Sequence, residues 1–161
     1  MSKNCERGVS LWVILAVVAV LVGGAAYNYN ASQNAKRAAA AAAAAADERS
    51  YTESLVALTR VMTKFDDAVK IAESTSRISL AAPVGNLQSI MREAEALKVH
   101  ECLSEAQTIG VKRMNSITEM FLVFMRNGDE IRQRQLAQDG SKQLWDFMAK
   151  LKICADSRKK P

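Results

Sequence analysis

The feature that most constrains this chain is a stretch near its N-terminus, residues 9–29, that carries no charge. Residues 11–22 within it are continuously apolar, and two glycines and two alanines extend the run. A helix needs about 20 such residues to cross the hydrocarbon core of a bilayer. The stretch just reaches this length, so it predicts a single-pass transmembrane anchor. Such an anchor would determine on which side of the membrane the rest of the chain lies.

Aromatic side chains at both ends of the stretch favour an anchor. Trp12 lies near one end, and Tyr27 and Tyr29 lie near the other. Amphipathic rings prefer the two headgroup layers of a membrane. We therefore expect these three residues to be the membrane-interface anchors of a helix that spans the lipid bilayer once.

A cleaved signal peptide is the alternative interpretation of the same stretch. Lys3 and Arg7 form a basic leader, residues 11–22 have the length of a signal core, and small residues offer a cleavage site near 26. Either interpretation places the rest of the chain outside the cytoplasm. The protein would then be a membrane protein with a cytoplasmic N-terminus, or a secreted or periplasmic one after signal cleavage.

Composition predicts an all-α fold. Only two prolines and seven glycines occur in 161 residues, and residues of high helix propensity dominate. The net charge of +5 is modest, and no basic stripe with interleaved aromatics is present, so we expect no nucleic-acid partner. The last residues, 157–161, form a basic tail that we expect to be solvated.

An alanine-rich segment, residues 30–50, separates the uncharged stretch from the rest of the chain. It contains nine consecutive alanines at 38–46. Alanine is the best helix former, yet it offers a neighbour little surface to bury. The segment therefore predicts a helical spacer, and the alternative is a low-complexity linker of no defined length, because isolated alanine runs are only marginal helices.

A heptad pattern follows the alanines. Apolar side chains recur every three or four residues, at Tyr51, Leu55, Leu58, Met62, Phe65, Val69 and Ala72. The pattern predicts a helix that continues to about Ser79 and has one apolar seam. The seam would be covered by the chain's own domain or by a second copy in a coiled coil, so it is a candidate partner-facing surface.

Further helices complete a predicted three- to four-helix antiparallel bundle over residues 51–156. Pro83 interrupts the helical pattern, and a short helix follows that ends near Lys98. A long third helix begins at about His100. The fourth helix has predicted inward positions at Ala137, Gly140, Leu144, Phe147, Leu151 and Cys154.

The connection between the third and fourth helices carries local signals. Asn127-Gly128 predicts the end of the third helix, because asparagine or glycine commonly follows a last helical turn. Asp129 and Glu130 then suit the beginning of the fourth helix, whose dipole favours acidic side chains there. So short a connection predicts that the two helices fold back on each other.

Two of the three cysteines are placed symmetrically about this connection. Cys102 lies 26 residues before Gly128 and Cys154 lies 26 residues after it. Antiparallel helices therefore bring both residues to the same level, which predicts a disulfide; the alternative is two buried thiols. A disulfide would mean that the domain matured in an oxidising compartment. Cys5 would remain unpaired on the reducing side of the membrane.

No motif in the sequence predicts catalysis, metal binding or a cofactor. His100 is the only histidine, and its neighbours do not form a metal-ligand pattern. The methionines and phenylalanines of the last two helices either fill the bundle interior or line an apolar groove; they are Met114, Met120, Met125, Met148, Phe121, Phe124 and Phe147. We therefore expect a protein that is not an enzyme.

Two functional interpretations remain. The first is a membrane-anchored, non-catalytic interaction or scaffolding protein of a cell envelope, which binds a protein partner or a second copy of itself. The alternative is an extracytoplasmic bundle that binds a small apolar ligand. An exposed apolar patch would favour the first, and an enclosed pocket between the helices would favour the second.

Overall fold

The structure, a computed structural model, describes residues 11–159 and gives side chains from Tyr29 onward. These residues are helical with short connections and include no strand, so the all-α prediction is confirmed. The chain divides into two compact units, residues 1–47 and 48–161. The second unit is the helical bundle.

The first helix, α1, spans Leu11–Glu73. The alanine-rich segment is therefore helical, as predicted, and most of its side chains are exposed. The helix ends at Glu73 and not near Ser79. The hydroxyl groups of Ser74 and Thr75 both donate to the carbonyl oxygen of Ile71, at 2.9 and 2.6 Å, and such side chains compete with helical hydrogen bonding.

The second helix, α2, spans Ala81–Ala96 and follows a short 3₁₀ turn at Arg77–Ser79. Pro83 was predicted to interrupt the helical pattern, but it lies in the first turn of α2. Proline is tolerated there because the first four amide groups of a helix have no intrahelical acceptor. The interruption between α1 and α2 therefore lies before Ala81.

A 3₁₀ turn at Glu101–Leu103 leads into α3, Ser104–Met125, and α4 follows at Glu130–Arg158. Asn127 adopts a φ of 53°, and the Gly128 amide donates to the Val123 carbonyl at 2.9 Å, which closes the helix end. The Asp129 side chain accepts a hydrogen bond from the Ile131 amide at 2.8 Å. The predicted turn and helix start are confirmed.

The core of the bundle draws apolar side chains from all parts of the second unit. The largest fully buried side chains are Phe65, Leu58, Leu80, Leu87, Ile90, Leu103 and Met114. Two glycines leave room for side chains of neighbouring helices: a Cβ on Gly110 would lie 3.1 Å from the Met62 sulfur, and one on Gly140 would lie 2.6 Å from Ile117 Cδ1.

Ion pairs join the helices at the surface of the bundle. Arg113 of α3 binds Asp66 of α1 at 2.8 Å, and Arg132 of α4 binds Glu119 of α3 at 2.9 Å. The hydrogen bond with Glu119 raises the pKa of Arg132 above its ordinary value. The pKa of Lys70 is raised in the same way by its hydrogen bond with Asp67.

The predicted membrane anchor, residues 9–29, lies outside the residues whose side chains the structure describes, apart from the exposed Tyr29. Trp12 and Tyr27 lie outside them as well. Within the part of the chain that the structure describes, no helix combines the length and apolar character needed to cross a membrane.

Candidate functional site

The candidate site is the end of the bundle where Cys102 and Cys154 form a disulfide. Their Cα atoms lie 5.5 Å apart, and the bond closes a loop across a sequence separation of 52 residues. Cys102 belongs to the 3₁₀ turn before α3, and Cys154 is buried on α4. The pairing predicted from the symmetry about Gly128 is confirmed.

His100 connects the disulfide to α1. Its amide donates to the Ser54 hydroxyl oxygen at 2.9 Å, and its Nδ1 accepts a hydrogen bond from the Cys102 amide at 3.3 Å. Its ring meets the ring of Tyr51 edge to face, with centroids 5.9 Å apart. His100 is therefore a capping residue that positions Cys102, in keeping with its interpretation as the histidine of a helix start.

Arg158 completes the cluster from α4. Its guanidinium lies 4.5 Å from the centroid of the Tyr51 ring, and its Nη2 lies 2.7 Å from Glu48 Oε2. Its Nη1 lies 3.4 Å from His100 Nε2. We call Glu48, Tyr51, His100, Arg158 and the disulfide the clasp.

The clasp corrects the prediction of a solvated tail at residues 157–161. The α4 helix continues to Arg158, whose side chain is only 19% exposed, because Tyr51 and Glu48 bind its guanidinium. The available signal was spacing: Arg158 lies four residues after Cys154, on the same side of the helix. Lys159 follows α4 and is exposed.

The candidate partner-facing seam of α1 is covered by the chain itself. Leu58, Met62 and Phe65 are buried in the core, Tyr51 belongs to the clasp, and Leu55 and Val69 are half-buried. The first of the two alternatives, coverage by the same domain, is what the structure shows. The other helices therefore bury most of the apolar surface of the seam, while Leu55 and Val69 keep part of theirs exposed.

The methionines and phenylalanines of the last two helices divide into three groups by burial. Met114, Phe121 and Phe147 are buried in the core, Met120 and Met125 are partly buried against it, and Phe124 and Met148 are exposed. A groove of about 480 Å³ between α1 and α2 has mixed walls that include Arg60, Lys64 and Ile71. Five of the seven side chains thus contribute to the interior of the bundle, and the groove is lined by α1 and α2 alone.

An exposed apolar patch lies on α4, where sequence reasoning did not place one. It consists of Leu144, Trp145 and Met148, and the Trp145 side chain is 77% exposed. The predicted inward positions Gly140, Phe147 and Cys154 are buried, but Leu144, which was also predicted to face inward, is exposed, and Leu136 is buried in addition. The signal was the pairing of Trp145 and Met148 three residues apart, which puts both on one helix face.

The described residues include no group of three His, Cys, Asp or Glu side chains placed to hold a metal ion. The clasp is built from hydrogen bonds, a ring contact and an ion pair around a covalent bond, so its chemical effect is to fix the start of α3 and the end of α4 against the middle of α1. Comparison of the chain with protein-family models, with curated proteins and with solved structures finds no match.

Proposed function

We propose that this chain is a non-catalytic interaction or scaffolding protein of a cell envelope, which presents its disulfide-tied bundle outside the cytoplasm. The observation that carries the proposal is the Cys102–Cys154 disulfide, because disulfides persist in oxidising compartments and are rare in the cytosol. The uncharged stretch at 9–29 supplies either a membrane anchor or a cleaved signal that takes the bundle there.

The α4 patch supports an interaction role. Monomeric soluble proteins rarely leave contiguous large apolar side chains exposed without a functional reason, and tryptophan is enriched among the residues that dominate binding interfaces. Leu144, Trp145 and Met148 occupy neighbouring positions on one helix. A protein partner that covers them would remove their apolar surface from water.

Trapping the thiols in intact cells tests the compartment. The full chain is expressed, the cells are quenched in acid, and free thiols are labelled with a maleimide that shifts the gel mobility, before and after reduction. We expect Cys102 and Cys154 to react only after reduction, while Cys5 reacts before it in a chain that keeps its anchor and is absent from a chain whose signal has been cleaved. A Cys102→Ser variant is the control, in which Cys154 reacts without reduction. Labelling of all three cysteines before reduction would overturn the proposal.

Capture from solubilised membranes tests the interaction role. The tagged full chain is expected to retain a partner at a fixed ratio, and Trp145→Ala with Met148→Ala should lower the yield of that partner at least about fivefold, since interface anchors often contribute more than 1 kcal/mol. Ile153→Ala, which removes an exposed apolar side chain from another face of α4, is the matched control. Equal yields from the patch variant and this control would contradict a role for the patch.

A further inference from the structure

The outer face of α1, on the far side from the buried seam, forms a shallow groove of about 280 Å³ lined by Thr52, Glu53, Val56, Ala57 and Arg60. Val56 is 53% exposed there, although it is a large apolar residue. Residues three, four and seven apart share one side of a helix. The groove therefore presents an apolar centre with a carboxylate toward one end and a guanidinium toward the other.

The two charged residues of this groove have no partners within the part of the chain that the structure describes. Glu53 and Arg60 make neither an ion pair nor a side-chain hydrogen bond there, whereas nearby Lys64 is bound to Glu93 of α2. They are too far apart along the helix to bind each other, since seven residues span about 10 Å. Both charges are thus available to an external partner.

We propose that this face pairs with the same face of a second copy, with the two α1 helices antiparallel. A two-fold axis between Val56 and Ala57 brings Glu53 of one copy opposite Arg60 of the other, and the same pair forms again on the far side of the axis. Val56 then packs on Ala57 of the second copy, where a small side chain allows the helices to approach. The surface is self-complementary, as a two-fold interface requires.

The arrangement also contains an unfavourable contact, which the axis repeats. Arg49 of each copy lies opposite Lys64 of the other, and like charges that face each other across an interface are destabilising. Exposed ion pairs contribute little each, so the dimer is weak and concentration-dependent.

Charge exchange tests the pairing. The full chain is purified in detergent, and its dimer dissociation constant is measured by sedimentation over a range of concentrations. Glu53→Arg and Arg60→Glu each replace two attractions with two repulsions, so each should weaken the dimer about tenfold or more. The double variant E53R/R60E exchanges the charges and should restore the original dissociation constant.

Two further variants sharpen the test. Arg49→Glu converts both unfavourable contacts with Lys64 into attractions and should tighten the dimer at least severalfold, since each exposed pair is worth up to about fivefold in affinity. Lys142→Glu reverses an exposed charge on α4 and should change nothing. Circular dichroism confirms that each variant keeps its helix content. A chain that is monomeric at all concentrations would overturn the pairing. So would a double variant E53R/R60E whose dissociation constant equals those of the two single variants.

This inference rests on the proposed interaction role and names one partner as a second copy. Its failure is distinguishable from failure of that role. A chain that stays monomeric would still be a scaffolding protein if the α4 patch retains a different partner, and a chain whose cysteines are reduced in cells would lose its proposed compartment even if the antiparallel dimer forms in solution.

Discussion

Arg158 connects three separate segments of the bundle through one side chain. It stacks on Tyr51, binds Glu48 and contacts His100 beside the disulfide. A cation over an aromatic ring contributes about 0.5–2 kcal/mol. The Glu48 pair adds little, because the Glu48 side chain is largely exposed to solvent and exposed pairs contribute less than about 1 kcal/mol.

We therefore predict that Arg158→Gln lowers the free energy of unfolding by about 1–2 kcal/mol, as measured by urea denaturation. The matched control is Lys159→Gln, the next residue, whose exposed pair with Asp156 at 3.4 Å should contribute less than about 0.5 kcal/mol. Equal losses in the two variants would show that the stacking on Tyr51 does not stabilise the fold.

Arg158 also marks how far sequence reasoning reaches for a single residue. The pairing of Cys102 with Cys154 was predictable by counting residues on either side of Gly128, because these separations can be read from the sequence alone. The partners of Arg158 lie on α1, at the other end of the domain in sequence. No periodicity relates them, so a basic residue near the C-terminus was assigned to a solvated tail.

Phe65 is the largest side chain that the bundle buries completely. We predict that Phe65→Ala lowers the free energy of unfolding by about 3–5 kcal/mol, because it removes apolar contacts and leaves a cavity. Ile71→Ala is the control on the same helix: its side chain is 58% exposed, so the expected change stays within about 0.5 kcal/mol. Both are read from urea denaturation, and a small effect at Phe65 would mean that the seam is not buried as described.

At the scale of the helix, two glycines should respond in opposite ways to alanine. Nothing lies within 4 Å of a Cβ added to Gly85 in α2, so Gly85→Ala should stabilise by about 0.5–1 kcal/mol through helix propensity. A Cβ added to Gly140 in α4 would lie 2.6 Å from Ile117 Cδ1, so Gly140→Ala should destabilise by about 1 kcal/mol net of that gain.

The contact at Gly140 can be tested by removing the atom that it meets. Ile117→Val deletes Cδ1, so the double variant with Gly140→Ala should be more stable than the sum of the two single changes predicts, by about 1 kcal/mol in a double-mutant cycle. Thermal or urea unfolding supplies the four values. Additive effects would show that α3 and α4 do not approach each other closely at this level.

Helix ends were predictable where a local signal settles the conformation. Asn127-Gly128 gave such a signal for the end of α3, and Asp129 gave one for the start of α4. The left-handed backbone of Asn127 and the capping carboxylate of Asp129 each act within one helical turn. Pro83 was a weaker signal, because proline is compatible with the interior of an extended segment and with the first turn of a helix alike.

At the scale of the whole molecule, the seam and the α4 patch show why surfaces are harder to predict than elements. Periodicity identified an apolar stripe from Tyr51 to Val69 but did not say what covers it, and the chain's own helices do. Trp145 interrupts no pattern on α4, yet it lies outside the core. Helix periodicity fixes which residues share a face, whereas the arrangement of four helices decides which face meets water.

The disulfide should stabilise the whole bundle without being required for its secondary structure. Closing a loop of 52 residues stabilises by about 4 kcal/mol in the chain-entropy model, and measured values are commonly about 2–4 kcal/mol. The buried side chains from Leu58 to Phe147 form a core that does not depend on the bond. We therefore predict that a thiol reductant lowers the urea midpoint of the full chain while its helical circular dichroism in the absence of urea is retained.

The variant C102A/C154A should show the lower midpoint with and without reductant, and Cys5→Ser should respond to reductant as the unaltered chain does. A midpoint that reductant leaves unchanged in the Cys5→Ser variant would contradict the assignment of the disulfide to Cys102 and Cys154.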